Sequence, residues 1–225
     1  MKLLHDEALE YIKTHRLIAI LRGVPETKVS GTVAALAEGG VKVLEFTFDH
    51  CSPNDILDNA RKIQMAGEEF GSELLIGCGT AMNTAEVDAA YSAGAQLVIS
   101  PNVSEGVIRR TRELGLVSMP GALSSTEIVS AYEYGADIVK LFPAGELGLG
   151  YIKAVRGPLS YIPMAAVGGV KPENIGDFLS AGICSFGIGG QLVLPDAIKR
   201  GDYGTITARA REFVAEIEKW EQEHV

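Results

Sequence analysis

The sequence predicts an α/β chain folded as a closed (β/α)8 TIM barrel with an N-terminal capping helix. Short apolar runs alternate with longer amphipathic stretches, and most of the runs are apolar at nearly every position, as parallel strands buried on both faces must be. One phrase of helix end, glycine and strand recurs in "AEGGVKVLE", "SAGAQLVIS", "YEYGADIVK" and "SAGICSFGI". Eight such units in 225 residues suit a closed barrel better than an open doubly wound sheet, the lesser alternative.

Taken in order, the strands are read at Leu17–Arg22, Val43–Phe48, Leu74–Gly79, Leu97–Pro101, Leu116–Gly121, Ile138–Pro143, Ile162–Gly169 and Cys184–Gly189. Each is followed by a helix. Thr27–Glu38 ends at Gly39–Gly40, Thr84–Ala93 at Gly94, Ser104–Leu114 at Gly115, Ser124–Tyr134 at Gly135 and Pro172–Ala181 at Gly182. A glycine just past a helix supplies the left-handed residue that closes it. Leu3–His15 reads as an extra helix over the barrel bottom, Val193–Arg200 as a short helix after the last strand, and Thr205–Glu223 as the final helix. No linker or low-complexity segment interrupts the pattern, so residues 1–225 are expected to form one domain.

Composition narrows the function classes. Hydrophobic residues make up 47% of the chain, enough for a sizeable core. The net charge of −9 argues against nucleic acid, which needs basic surface, and first of all keeps the protein soluble. Three scattered cysteines, Cys51, Cys78 and Cys184, form neither a disulfide framework nor a zinc cluster. Met1 is followed by Lys2, His5 and Asp6 rather than an apolar leader, and no apolar run reaches the roughly 18 residues that span a bilayer. The expectation is a cytoplasmic protein without a membrane segment. His5, His15, His50 and His224 show no metal spacing, so no metal is expected, although His50 lies near the predicted barrel mouth.

Barrels of this kind carry their chemistry at the C-terminal ends of the strands. Lys140, in "DIVKLFPAG", sits late in an apolar strand, where lost hydration frees a neutral amine to attack a carbonyl. The same position also suits a lysine paired with a buried carboxylate. Glu45, in "VLEFTF", is either that partner or a general base. Alternation places Glu45, Thr47 and Asp49 on one strand face as a polar ladder toward the mouth. Arg22 ends the first strand and either grips an anionic group or is an ordinary surface arginine. Thr80, in "GCGTAMN", is either a mouth donor or a helix N-cap. Gly168–Gly169 and Gly189–Gly190 follow the last two strands, where backbone N–H groups often hold phosphate; tight turns need glycine there too. Met119, Met164 and Phe142 read as core or pocket wall.

The chain resembles the KDPG/KHG aldolase family (2-dehydro-3-deoxy-phosphogluconate and 4-hydroxy-2-oxoglutarate aldolases). The resemblance runs from about Leu17 onward through "LIAILRG", "GGVKVLEFTF", "IGCGTAMN", "VISPNVS", "PGALSSTE", "VKLFPAGELG", "AVGGVKPENI" and "GIGGQLV". It implies a class I aldolase that cleaves a 2-oxo-3-deoxy-4-hydroxy sugar acid to pyruvate and an aldehyde. Lys140 matches the Schiff-base lysine, Glu45 the acid/base glutamate, and Thr80 a threonine that holds the pyruvyl carboxylate. Pro101 and Phe142 match pocket walls, and Gly168, Gly169 and Gly190 a phosphate site. The resemblance implies a homotrimer acting on a small 2-oxo acid without metal or organic cofactor. Three positions depart from the pattern. Asp49 stands where many members have a carboxylate-binding arginine, a role that Arg22 fits as it does in other members. Val167 replaces a threonine, and "AVGGV" is similar to the 2-dehydro-3-deoxy-6-phosphogalactonate branch. Gln191 replaces the phosphate-site serine. The competing reading is a phosphate-binding barrel isomerase or epimerase that uses Glu45 and Lys140 as acid and base without an imine; a non-catalytic sugar-acid binder ranks below both.

Overall fold

The computed structural model describes residues 3–224; the Met1–Lys2 start read for a leader lies outside them. Eight parallel strands close into a barrel in chain order, with the last paired to the first. They are β1 (Leu17–Leu21), β2 (Val43–Thr47), β3 (Leu75–Gly79), β4 (Leu97–Ser100), β5 (Val117–Ala122), β6 (Val139–Leu141), β7 (Met164–Val167) and β8 (Ser185–Ile188). Helix α1 (His5–His15) precedes the barrel. Then α2 (Val29–Glu38), α3 (Asp55–Phe70), α4 (Thr84–Ser92), α5 (Glu105–Glu113), α6 (Ser125–Glu133), α7 (Ala144–Arg156) and α8 (Ile175–Ser180) alternate with the strands. After β8 come α9 (Pro195–Arg200) and α10 (Tyr203–His224).

Strand alternation sorts the apolar residues into two cores. Leu17, Ala19, Leu21, Leu44, Phe46, Ile76, Cys78 and Val98 face the helices in the outer core. Ile18, Val43, Leu75, Leu97, Val117 and Ala165 belong to the inner one. Ala8 and Ile12 of α1 join that inner cluster, so the predicted bottom cap packs directly into the barrel. Asp137 pins the same end: it accepts from the Ser118 N–H (2.8 Å) and from Arg112 (2.8 Å) and lies 3.1 Å from His5.

The elements are those expected from the sequence, with ends shifted by a few residues: most are trimmed, while β5 runs on to Ala122 and α10 starts at Tyr203. The strand read at Ile162–Gly169 begins at Met164, because Pro163 has no N–H for the ladder. The helix read from Thr27 opens with a 3-10 turn at Glu26–Lys28 and becomes α-helical at Val29. Helix α7 breaks its regular geometry at Gly148 (φ 75°), a kink that a glycine admits without strain.

Candidate active site

Alternation along each strand carries the inner face upward to the barrel mouth. On β2 that face runs Val43, Glu45, Thr47; along β6 and its flanks it runs Ile138, Lys140, Phe142; at β1 it ends in Arg22. Lys140 is 8% exposed and stands between Gly121 of β5 and Ala165 of β7, two small residues that leave room around its side chain. Glu45 is 2% exposed, between Ile20 of β1 and Gly77 of β3. The two predicted catalytic residues therefore share the barrel interior.

Their electrostatics are opposed by design of the fold. Burial pushes the Glu45 carboxyl up from its usual range, while Lys140, the Thr47 hydroxyl and Arg22 pull it back. Burial pushes the Lys140 ammonium down; Glu45 opposes this and Arg22 adds to it. No ion pair joins Lys140 to Glu45 among the described residues, and Glu45 Oε2 accepts no hydrogen bond at all. The Lys140 ammonium nitrogen lies 5.3 Å from the centre of the Phe142 ring, which is 45% exposed and forms an apolar wall at the mouth.

Arg22 is exposed, and its guanidinium donates to the Thr80 hydroxyl at 3.4 Å. Thr80 is not the N-cap of α4. That position belongs to Asn83, whose side chain accepts from the Glu86 N–H. Thr80 instead adopts φ 59°, the left-handed region that a β-branched residue occupies only at a cost of about 1–3 kcal/mol. The Thr80 hydroxyl stands beside Arg22 in this conformation.

Asp49 is corrected by the structure. β2 ends at Thr47, so Asp49 stands beyond the strand and not on the polar ladder. Its carboxylate accepts from the Cys51 N–H (3.2 Å), and its own N–H donates to Asp55 (2.5 Å), an Asx turn that starts the loop. No contact joins it to Arg22 among the described residues. Pro101 is exposed, and its carbonyl lies under Gly121, where a Cβ would come within 2.5 Å of it. Val167 is buried at the end of β7 and packs over Gly187.

Gly168 and Gly169 both have positive φ, 85° and 73°. Gly168 lies against the Phe142 ring, and a Cβ on Gly169 would meet the Gly145 backbone at 2.7 Å. Close packing of two loops thus already requires this glycine pair. Gly190 and Gln191 are exposed on the loop after β8, where the Gln191 carbonyl accepts from Arg209 at 2.9 Å. No recorded contact links them to Lys140.

His50, Asp55 and Glu86 form the one group of metal-capable side chains among the described residues, with ligand atoms within 4.8 Å of one another. Each carboxylate already has structural work. Asp55 accepts from the Asp49 N–H, and Glu86 accepts from Met82 N–H (2.6 Å), Asn83 (2.7 Å) and His50 (3.0 Å). The trio ties the loop after β2 to the turn that carries Thr80. Sequence spacing did not reveal it, because the residues come from three segments.

The family model for KDPG and KHG aldolase matches residues 9–209. A probable 2-dehydro-3-deoxy-6-phosphogalactonate aldolase of Rhizobium meliloti (strain 1021) is 40% identical over 80% of this chain and 82% of its own length. The 2-dehydro-3-deoxy-6-phosphogalactonate aldolase of Escherichia coli (strain K12) is 37% identical over 78% of this chain and 83% of its own. The solved structure of native KDPGal superposes with a TM-score of 0.81 at 34% identity, covering 92% of this chain and 96% of that one. Fold and sequence agree, and the chain belongs to the KDPG and KHG aldolase family.

Proposed function

We propose that the protein is a class I aldolase that cleaves a 2-oxo-3-deoxy-4-hydroxy sugar acid to pyruvate and an aldehyde through an imine on Lys140. The observation that carries this reading is the placement of Lys140 and Glu45, 8% and 2% exposed, on the inner face of one barrel, with one Glu45 oxygen that accepts no hydrogen bond. The neutral Lys140 amine attacks the C2 carbonyl and, after loss of water, forms a protonated imine. Glu45 takes the C4 hydroxyl proton. The electrons of the C3–C4 bond pass into the imine, and the aldehyde leaves. The enamine takes up a proton at C3, and hydrolysis frees pyruvate and Lys140. Arg22 and Thr80 orient the carboxylate, Phe142 and Pro101 wall the pyruvyl group, and Val167 closes the inner side. Gly168, Gly169, Gly190 and Gln191 border the far end of the substrate. An isomerase would call for a buried lysine and glutamate of the same kind, but the relatives named above are aldolases.

Borohydride reduction in the presence of pyruvate tests the imine. The expected product is a reduced pyruvyl adduct on Lys140, found by peptide mass spectrometry and absent from Lys140→Ala. Folded wild-type protein without the adduct would refute the aldolase reading.

The proposal extends to one catalytic domain working as a homotrimer in the cytoplasm, with no metal or organic cofactor. No helix among the described residues is long and apolar enough to cross a membrane, and Cys51, Cys78 and Cys184 are free thiols, as a reducing compartment maintains. Ile56, Leu57 and Met82 are exposed apolar side chains of the kind an assembly covers. Light scattering on the purified protein is expected to give three times the chain mass; a monomer mass at micromolar concentration would remove the trimer.

A further inference from the structure

We propose that Thr47 is a positioning residue that, with the absent side chain of Gly79, selects which oxygen of Glu45 transfers the proton. The inference rests on the roles given above to Lys140 and Glu45. Its starting point is that the two oxygens of the buried carboxylate differ. Oε1 accepts from the Thr47 hydroxyl at 3.3 Å, its one recorded hydrogen bond. Oε2 is buried and accepts none. A buried, unpaired carboxylate oxygen is costly, so a side chain free to choose would turn away from this pose.

Two neighbours hold it there. In the β2–β3 register Glu45 lies beside Gly77 and Thr47 beside Gly79. The Glu45 side chain lies across Gly79 so closely that a Cβ there would overlap the carboxylate. Gly79 has no positive φ that would otherwise demand glycine, so the conformation alone does not account for it. The missing side chain makes the slot. Thr47 then supplies direction. It is two residues along the same strand face, and its branched Cβ restricts χ1, which keeps the hydroxyl aimed at Oε1. With Oε1 engaged as acceptor, the oxygen left to take a proton is Oε2. The Thr47 hydrogen bond also favours the ionised carboxylate against the burial that disfavours it, which keeps Glu45 available as a base.

Pyruvate alone serves as the probe, because enamine formation exchanges its methyl protons with solvent and needs the Glu45 base but no aldehyde. Wild type, Thr47→Val and Thr47→Ser are compared for borohydride trapping on Lys140 and for the pH profile of methyl deuterium exchange by NMR. Thr47→Val keeps the shape and removes the donor. It is expected to retain the Lys140 adduct, to exchange about tenfold more slowly, and to move the acid limb of the profile up by about one pH unit. Thr47→Ser is expected to return both rate and limb toward wild type. A Thr47→Val profile that superimposes on wild type overturns the proposal, as does a serine variant no better than valine, since the hydroxyl would then not be what the position supplies. If the valine variant fails to fold, Thr47→Ala carries the same comparison. An adduct missing from wild type refutes the imine itself, an outcome distinct from an adduct that forms with an unmoved acid limb.

Discussion

Glu45 shows at the scale of one residue how a buried carboxylate is held against the interest of the fold. Its carboxylate is 2% exposed with one oxygen unpartnered, and burial raises its pKa above the ordinary carboxylate range. A group whose folded pKa is raised keeps its proton longer in the native state than in the unfolded chain. Below the ordinary carboxylate range both states hold the proton, and there is no penalty. As pH climbs from that range through the raised folded value, the unfolded chain ionises first and the native state loses stability. Glu45→Gln has no proton to lose. The variant is therefore expected to be more stable than wild type by about 1 kcal/mol at high pH, with the gap closing toward acid, while pyruvate exchange falls by at least about a hundredfold. Calorimetry across the pH range checks the first part. A gap that widens toward acid would show that the carboxylate stabilises the native state instead.

At the scale of elements, the strands were legible because burial on both faces leaves few polar letters inside them. "LIAIL" and "VLEFT" declare both the strand and, through Glu45, the exception worth explaining. Helices closed by glycine were legible for a local reason, since residues such as Gly94, Gly115 and Gly135 take positive φ just past their helices. Helices α3 and α7 are also followed by glycines, Gly71 and Gly157, but neither glycine takes positive φ. α7 contains three glycines after its first residue and a kink at Gly148, which blur its period. Loop conformation was the least legible layer. Asp49 continues the alternation of β2 on paper, but the ladder stops at Thr47 and the chain turns. Thr80 looked like a cap because it precedes a helix; Asn83 supplies the cap and leaves Thr80 in a strained conformation that no propensity would assign. The pairing of Glu45 with Gly79 was out of reach for another reason. It depends on which residues sit abreast on β2 and β3, and alternation within one strand does not give the register between two.

At the scale of the whole molecule, the two ends of the barrel differ in what they hold. The mouth holds Arg22, Glu45, Lys140 and Thr80, with strain at Thr80 and an unpaired oxygen on Glu45. The bottom holds α1, whose Ile12 is fully buried in the inner core, and the Asp137 contacts that fasten the neighbouring segments. Between them the inner apolar residues form a packed layer. Ile12→Ala should therefore cost stability through lost burial and a residual cavity, about 2–5 kcal/mol, which for a chain of this size lowers Tm by roughly 5–15 °C. Pyruvate exchange measured well below the new Tm should stay within about twofold of wild type. Combined with Glu45→Gln, the two stability changes should add to within about 0.5 kcal/mol, because the sites share no partner. A larger coupling, or a loss of exchange in Ile12→Ala while the protein is still folded, would mean that the bottom cap transmits its packing through the apolar layer to the catalytic layer and that the two ends of the barrel work as one unit.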